Sequence, residues 1–416
     1  MTEPAFDPIG ESLIVAADAA DGARAILSVA TDERLRISYL PGPGDVEGTF
    51  RHWRKRAFDP RVPSVAYSTM FFELCRRLDA DAQIVQRDPE RSDASRFEAV
   101  EIARIPFSPG NGSLQYLANR SAYARSCVDA VNRFDPHLVI VSSDFVWRAF
   151  PALTRGRKSI LTVHNSLWPI DETAHPLKRR LKLSALSRWL RSIDGAVFTS
   201  HACARQINAL AGGRFPELVA APQQKSPPET VASPNSRREI VYLGRIERNK
   251  GVFDLVDAFE RIAPHQPSAR LVFIGDGGAS ADLEARVAAS SAKSGIDLRG
   301  RLDADAVHDA LSRATLLVCP TQRSFDEGLA FVCFEAAAHG VPSVMTTVVP
   351  AKDLLAGACV VVQPEAPIAL ADAINGLLSD DARLDALRSA VRDKSALLYD
   401  RAQSWGSQVW RAIESL

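Results

Sequence analysis

Short apolar runs alternate along this chain with stretches in which apolar residues recur every three or four positions, and the alternation predicts most of its architecture. In the first half the runs are RISYL (36–40), QIVQ (83–86), HLVIVS (137–142), SILTV (159–163) and DGAVFTS (194–200). In the second half they are EIVYL (239–243), RLVFI (270–274), 296–298, TLLVC (315–319), 343–346 and 359–362. Helical periodicity fills the gaps over 64–78, 116–134, from His201 onward, 305–313, 367–379 and 381–396. It is cleanest after Gly251, where Val252, Leu255, Val256, Phe259 and Ile262 share one face. Strands that are apolar on both faces, each followed by a helix, predict parallel sheets covered by helices, an α/β protein.

Some stretches resist this reading. Within 1–30, LIVAA and AILSVA fit short strands or a helix equally well. Residues 49–63, TFRHWRKRAFDPRVP, are basic, aromatic and aperiodic, which predicts a long loop or insertion. The sharpest change in composition is QQKSPPETVASPNS (223–236), polar and proline-rich, as a linker is. A chain of 416 residues exceeds one comfortable core. Two domains are therefore expected, 1–225 and 237–395, joined by a linker at 226–236.

Charge narrows the function classes. Lys+Arg and Asp+Glu are equal at 50 each, so no global field points to nucleic acid. The six cysteines stand singly in apolar stretches without metal or redox spacing, which suits buried thiols in a reducing compartment. No apolar run is long enough to span a bilayer, and the acidic start MTEPAFDPIGES is unlike a signal peptide. A cytoplasmic location is expected. Residues 176–191, PLKRRLKLSALSRWLR, read as a basic amphipathic helix, with Leu177, Leu181, Trp189 and Leu190 supplying apolar surface. Such a helix either packs on its sheet with a solvated basic face or adsorbs to an anionic membrane at its inner face.

The candidate chemistry concentrates in 326–342, DEGLAFVCFEAAAHGVP. Glu327 and Glu335 flank the start of a helix expected over 330–339, ended by Gly340 and Pro342. A helix N-terminus offers free N–H groups and partial positive charge to a phosphate. A carboxylate on each side suits a ligand that carries hydroxyls at both ends of its phosphates, as a nucleotide-sugar does. Gly244, Arg245, Lys250 and Gly251 form a strand-to-helix loop at the ligand-binding edge of the second sheet, and two cations there can neutralise a diphosphate. In the first half, PGPGDVEG with Gly42 and Gly44 follows the strand 36–40, and His164 and Asn165 follow 159–163. His164 can be a satisfied structural residue or a ring donor to a sugar or phosphate. No metal-ligand cluster is visible.

Three motifs in order, YLGRIERNKG (242–251), FIGDGG (273–278) and DEGLAFVCFEAAAHGVPSV (326–344), resemble the retaining glycosyltransferases of family 4. That family has the GT-B fold, two Rossmann-like, doubly wound parallel-sheet domains facing a central cleft. SWGSQVW (404–410) resembles its closing helix, so residues 396–416 are expected to cross back to the first domain. The first domain departs from the pattern: PGPGDVEG and the basic insertion replace the usual Gly-Gly pair and following helix. The resemblance implies that Glu327 holds hydroxyls of the transferred sugar and that backbone amides of Gly328, Leu329, Ala330 and Phe331 hold a phosphate. Arg245 and Lys250 would stabilise the leaving diphosphate, Glu335 would bind the ribose, and Gly244, Arg301 and Leu302 would line the donor site. His164 would reach the sugar from the first domain, with Gly42, Gly44 and Asn165 on the acceptor side. The implied reaction needs no cofactor or metal. The donor it implies is a UDP- or GDP-type sugar, and the acceptor it implies is a glycan or lipid-linked molecule of cell-surface polysaccharide or glycolipid. A nucleotide-sugar epimerase, a phosphorylase or a non-catalytic scaffold on the same fold are the alternatives.

Overall fold

A computed structural model describes residues 7, 9–170, 177–228 and 238–416. From residue 229 onward the expected 226–236 linker lies outside them, as does Pro176 at the head of the basic helix. The described residues gather into two units. One takes the chain up to His164, 177–225 and Asp400–Leu416; the other takes 165–170, 226–228 and 238–399.

The first unit is built on a seven-stranded sheet. In chain order its strands are β1 (Leu35–Leu40), β2 (Ala80–Asp88), β3 (Asp93–Phe97), β4 (Val100–Pro106), β5 (Leu138–Ser142), β6 (Lys158–Val163) and β7 (Gly195–Phe198). They lie side by side as β3-β4-β2-β1-β5-β6-β7. All pair in parallel except β3, which runs antiparallel to β4 as a polar edge strand. The strand order reverses between β1 and β5, and the carboxyl ends flanking such a switch point are where open α/β sheets hold ligands.

The expected insertion at 49–63 is helical up to Arg54, the latter part of helix Val46–Arg54, and the helix that the family pattern places after the first strand is therefore present. Asp45 caps it, its side chain accepting from the Gly48 amide at 2.9 Å. Phe50 is its buried anchor, while Arg51 and Arg54 point outward and blur the periodicity. Near the amino end, Ala19–Ile26 is a helix and Gly10–Ser12 a single 3₁₀ turn.

The terminal helix Trp405–Glu414 completes this unit's core. Trp405, Val409, Trp410 and Ile413 join one apolar cluster with Tyr39 of β1 and Met70 and Phe71 of helix Tyr67–Arg77. The Trp405 ring lies 5.3 Å from Tyr39 and 5.4 Å from Tyr67. In the basic helix, described as Leu177–Leu190, the apolar face differs from the expected one. Leu183, Leu186 and Leu190 are buried, whereas Leu177 and Leu181 are 71% and 66% exposed.

The second unit has six parallel strands, β8 (Glu239–Leu243), β9 (Arg270–Ile274), β10 (Ile296–Leu298), β11 (Leu316–Cys319), β12 (Ser343–Thr346) and β13 (Cys359–Val362). Their order is β10-β9-β8-β11-β12-β13, with the switch point between β8 and β11. Val252–Ile262 and Pro367–Leu378 bury Phe259, Ile262 and Ile374 on one face; Leu311, Phe334 and Val391 fill the other. Each such side chain taken fully out of water contributes roughly 1.5–3 kcal/mol.

Candidate functional site

The two stretches singled out by residue chemistry emerge at the two strands that flank the second switch point. The chain leaves β8 through Gly244 to Gly251, and leaves β11 through Pro320 to Ala330. Glycines permit the close approach of these loops. A Cβ on Gly251 would stand 1.9 Å from the Pro320 carbonyl oxygen, at a φ of +73° that side chains disfavour. A Cβ on Gly275 would stand 1.9 Å from the Gly244 oxygen. The GDGG turn thus packs its backbone against the β8 loop, and the Ile246 amide donates to Asp276 O at 2.8 Å.

At the meeting of the loops, Lys250 Nζ lies 2.5 Å from Glu327 Oε2, with the side chains only 16% and 9% exposed. Thr321 Oγ1 donates to the same carboxylate oxygen at 3.3 Å, and the Thr346 hydroxyl donates to Thr321 O at 2.6 Å. The lysine also lies over the face of Phe325, its Nζ 3.8 Å from the ring centre. Arg245 stays outside this cluster. It is exposed, pairs with Glu247 at 2.9 Å, and holds its guanidinium carbon 5.7 Å from the centre of the Phe325 ring.

The helix after Glu327 is Phe331–Ala338, one residue shorter at each end than expected. Ala330 is its N-cap, in the left-handed region with φ 65°, and no side chain caps the helix. That conformation costs an alanine about 1–2 kcal/mol, the kind of local strain found where a backbone is held for a ligand. Among the described residues, the amides of Gly328, Leu329, Ala330 and Phe331 have no acceptor. Glu335 sits one turn into the helix, half-buried, with no donor to its carboxylate among the described residues; desolvation raises its pKa above the usual carboxylate value. His339 Nδ1 donates to the Glu335 carbonyl oxygen, 2.8 Å away, and its Nε2 meets His308 Nδ1 at 2.8 Å. Arg301 is exposed and Leu302 half-buried against the core.

Within the first unit, Gly42 approaches Asp144, where a Cβ would stand 2.9 Å from Oδ2; Gly44 has open space around it. His164 follows β6. Its Nε2 lies 3.1 Å from Thr162 Oγ1, its amide donates to Ser143 Oγ at 3.2 Å, and Tyr67 stacks on its ring at 5.1 Å. Burial among these groups holds its pKa below the usual histidine range, against an opposing pull from Asp144. Asn165 is exposed and falls with the second unit.

The structure therefore joins Lys250 to Glu327, places Glu335 beyond an uncapped helix start, and leaves Arg245 and Arg301 facing solvent. Thr321 and Phe325 escape a sequence reading because neither belongs to a charged or glycine motif. Only their spacing before Glu327 marks them. Among the described residues no group of three or more His, Cys, Asp or Glu could hold a metal, and no helix is long and apolar enough to cross a membrane.

Residues 64–223 match the family model described as glycosyl transferase 4-like domain, and residues 237–380 match glycosyl transferases group 1. The putative teichuronic acid biosynthesis glycosyltransferase TuaC of Bacillus subtilis (strain 168) is 29% identical over 226 residues, covering 52% of this chain and 54% of that protein. The chain spans about half the length of the curated relatives it matches. Sucrose-phosphate synthase from Thermosynechococcus elongatus superposes with a TM-score of 0.66 at 16% identity, over 91% of this chain and 97% of that one. Anabaena HepE, solved in complex with UDP, gives 0.63 at 13%, over 92% of this chain and 100% of that one. At such identities the likeness is one of fold.

Proposed function

This chain belongs to the group 1 glycosyl transferases of family 4 and has the GT-B fold, and from that premise we propose that it transfers a sugar from a nucleotide-sugar to a glycan or lipid-linked acceptor. The observation that carries the proposal is the Lys250–Glu327 pair set beside an uncapped helix start with unsatisfied amides. Breaking a glycosyl–phosphate bond builds negative charge on the departing diphosphate. Lys250 and the amides of Gly328 to Phe331 are donors fixed in advance for that charge, with Arg245 a second cation that must swing in from solvent, and removing one preset donor typically lowers the rate ~10²–10³-fold. Glu327 takes sugar hydroxyls and Glu335 the ribose hydroxyls, each carboxylate being an acceptor for two or more O–H groups. A UDP-type donor is favoured by the fold's likeness to UDP-bound HepE, with GDP the other candidate, and no cofactor or metal enters the reaction.

His164 is proposed to work as a neutral ring. With the Thr162 hydroxyl turned toward Val141 O, 3.5 Å away, Thr162 Oγ1 accepts from Nε2–H and Nδ1 is left to accept from a hydroxyl. Gly42, Gly44 and Asn165 remain candidates for the acceptor side. We further propose retention of the anomeric configuration, by attack on the face that the diphosphate leaves. A role in cell-surface polysaccharide is supported by the relation to TuaC. The basic helix is proposed to rest on anionic lipid: exposed Leu177 and Leu181 stand among Arg180, Lys182 and Arg188, none of which pairs with an acid among the described residues.

The test is donor turnover. The purified protein is incubated with UDP- and GDP-sugars, nucleoside diphosphate release is measured, and the anomeric proton of the product is read by NMR. Release that disappears in Glu335→Ala supports the reading; a wild-type protein that binds no nucleotide-sugar, or an inverted product, refutes the transferase or the retaining step respectively.

A further inference from the structure

Phe325 lies under both cations of the β8 loop, its ring centre 3.8 Å from Lys250 Nζ and 5.7 Å from the Arg245 guanidinium carbon. An ammonium has three N–H donors and no acceptor. In Lys250 the carboxylate of Glu327 takes one side at 2.5 Å and the ring face takes another, which leaves the remaining direction for a ligand. The ring is itself held in place. The Phe325 amide donates to Gln322 O at 3.1 Å, and the Glu327 amide donates to Phe325 O at 3.0 Å. Gln322 is tied in turn to the β8 loop, its amide donating to Asn249 O at 2.9 Å and its side chain to Asp254 Oδ2 at 2.9 Å. Ring, lysine loop and Glu327 turn form one hydrogen-bonded frame.

We propose that Phe325 is a positioning residue for the donor diphosphate, a neutral platform that aims Lys250, and more loosely Arg245, at the terminal phosphate of the nucleoside diphosphate. An aromatic face suits the task better than a second carboxylate would. Its quadrupole attracts the cation without neutralising it, so the charge that Glu327 leaves unspent stays available to the phosphate. The inference rests on the nucleotide-sugar reading above and deepens it.

Calorimetry on the full-length protein tests it with UDP and GDP as probes, the tighter of the two being compared with its own monophosphate. Phe325→Leu is expected to weaken the diphosphate about five- to twenty-fold, the range of a partly desolvated cation–π contact. Its effect on the monophosphate stays within about twofold, and Phe325→Trp restores diphosphate affinity to within about twofold of wild type. Diphosphate affinity unchanged in Phe325→Leu, equal losses for both nucleotides, or a Trp variant as weak as the Leu variant would each overturn the platform. Lys250→Met separates the two layers. If it weakens the diphosphate while Phe325→Leu does not, only the platform falls. If neither diphosphate binds the wild type, or Lys250→Met changes nothing, the donor reading fails and takes the platform with it.

Discussion

Replacing Lys250 by Met keeps the apolar stem and removes the ammonium, leaving Glu327 to answer for its own burial. The carboxylate side chain is 9% exposed, and its remaining donor among the described residues is the Thr321 hydroxyl at 3.3 Å. Breaking a buried ion pair by removing one partner costs about 3–5 kcal/mol. The Thr321 bond and the slight exposure place the expected loss near the lower end, about 3 kcal/mol at pH 8. Glu327→Gln removes the charge instead and should cost less. The double variant Lys250→Met/Glu327→Gln should recover about 2 kcal/mol relative to the sum of the singles, since neither charge is then left alone. Urea unfolding of the full-length protein provides the assay, through the midpoint of the transition that reports the 238–399 unit at constant slope. A Lys250→Met protein within about 0.5 kcal/mol of wild type, or a double-mutant cycle without coupling, would show that the pair is a surface contact of negligible worth and would remove the ground for treating the two residues as one preset device.

Other outcomes follow from single features. Glu335 has its folded-state pKa raised above the ordinary 4.5 by desolvation, so its charged form costs stability above that raised value and the cost vanishes below the unfolded one. Glu335→Gln should therefore melt higher than wild type at pH 8, the gap closing as pH falls below 4.5, while nucleotide affinity drops; a lower melting point at pH 8 contradicts the burial argument. Gly251→Ala forces a side chain against Pro320 O and should destabilise by about 2–4 kcal/mol through clash and backbone strain, read by calorimetry, whereas Gly44→Ala, with open space around it, should be nearly silent. Arg180→Glu/Arg188→Glu should lower binding to phosphatidylserine-containing vesicles at least tenfold, given about 1 kcal/mol per basic residue near such a surface; unchanged sedimentation with the vesicles sinks the membrane proposal.

The second unit was legible because most of its strands are apolar on both faces and its helices periodic, so each of β8 to β13 lies where residue pattern alone places it. The first unit was harder for identifiable reasons. Helix Val46–Arg54 hides its period under Arg51, His52 and Arg54, and only the capping Asp45 betrays its start. Edge strand β3 carries Asp93, Ser95 and Arg96 and has no buried face to signal it. In the site, residue types at strand ends pointed to Lys250 and Glu327 separately. Their contact depends on the β8–β11 neighbourhood, a matter of strand order that no local pattern encodes. The apolar surface expected at Leu177 and Leu181 differs from the buried face because Leu183, Leu186 and Leu190 supply a second leucine stripe on the same helix.

The return of Trp405–Glu414 to the sheet of β1 has a consequence for how the molecule is made. On the ribosome, residues 238–399 are contiguous and can close their core as soon as they emerge. The half translated first must wait, because Trp405, Val409 and Ile413 share its central cluster with Leu13, Tyr39 and Met70. At about 5–20 residues per second, that nascent core stays unsealed for roughly ten seconds or more after its last strand appears, its apolar face open until helix Trp405–Glu414 arrives to cover it.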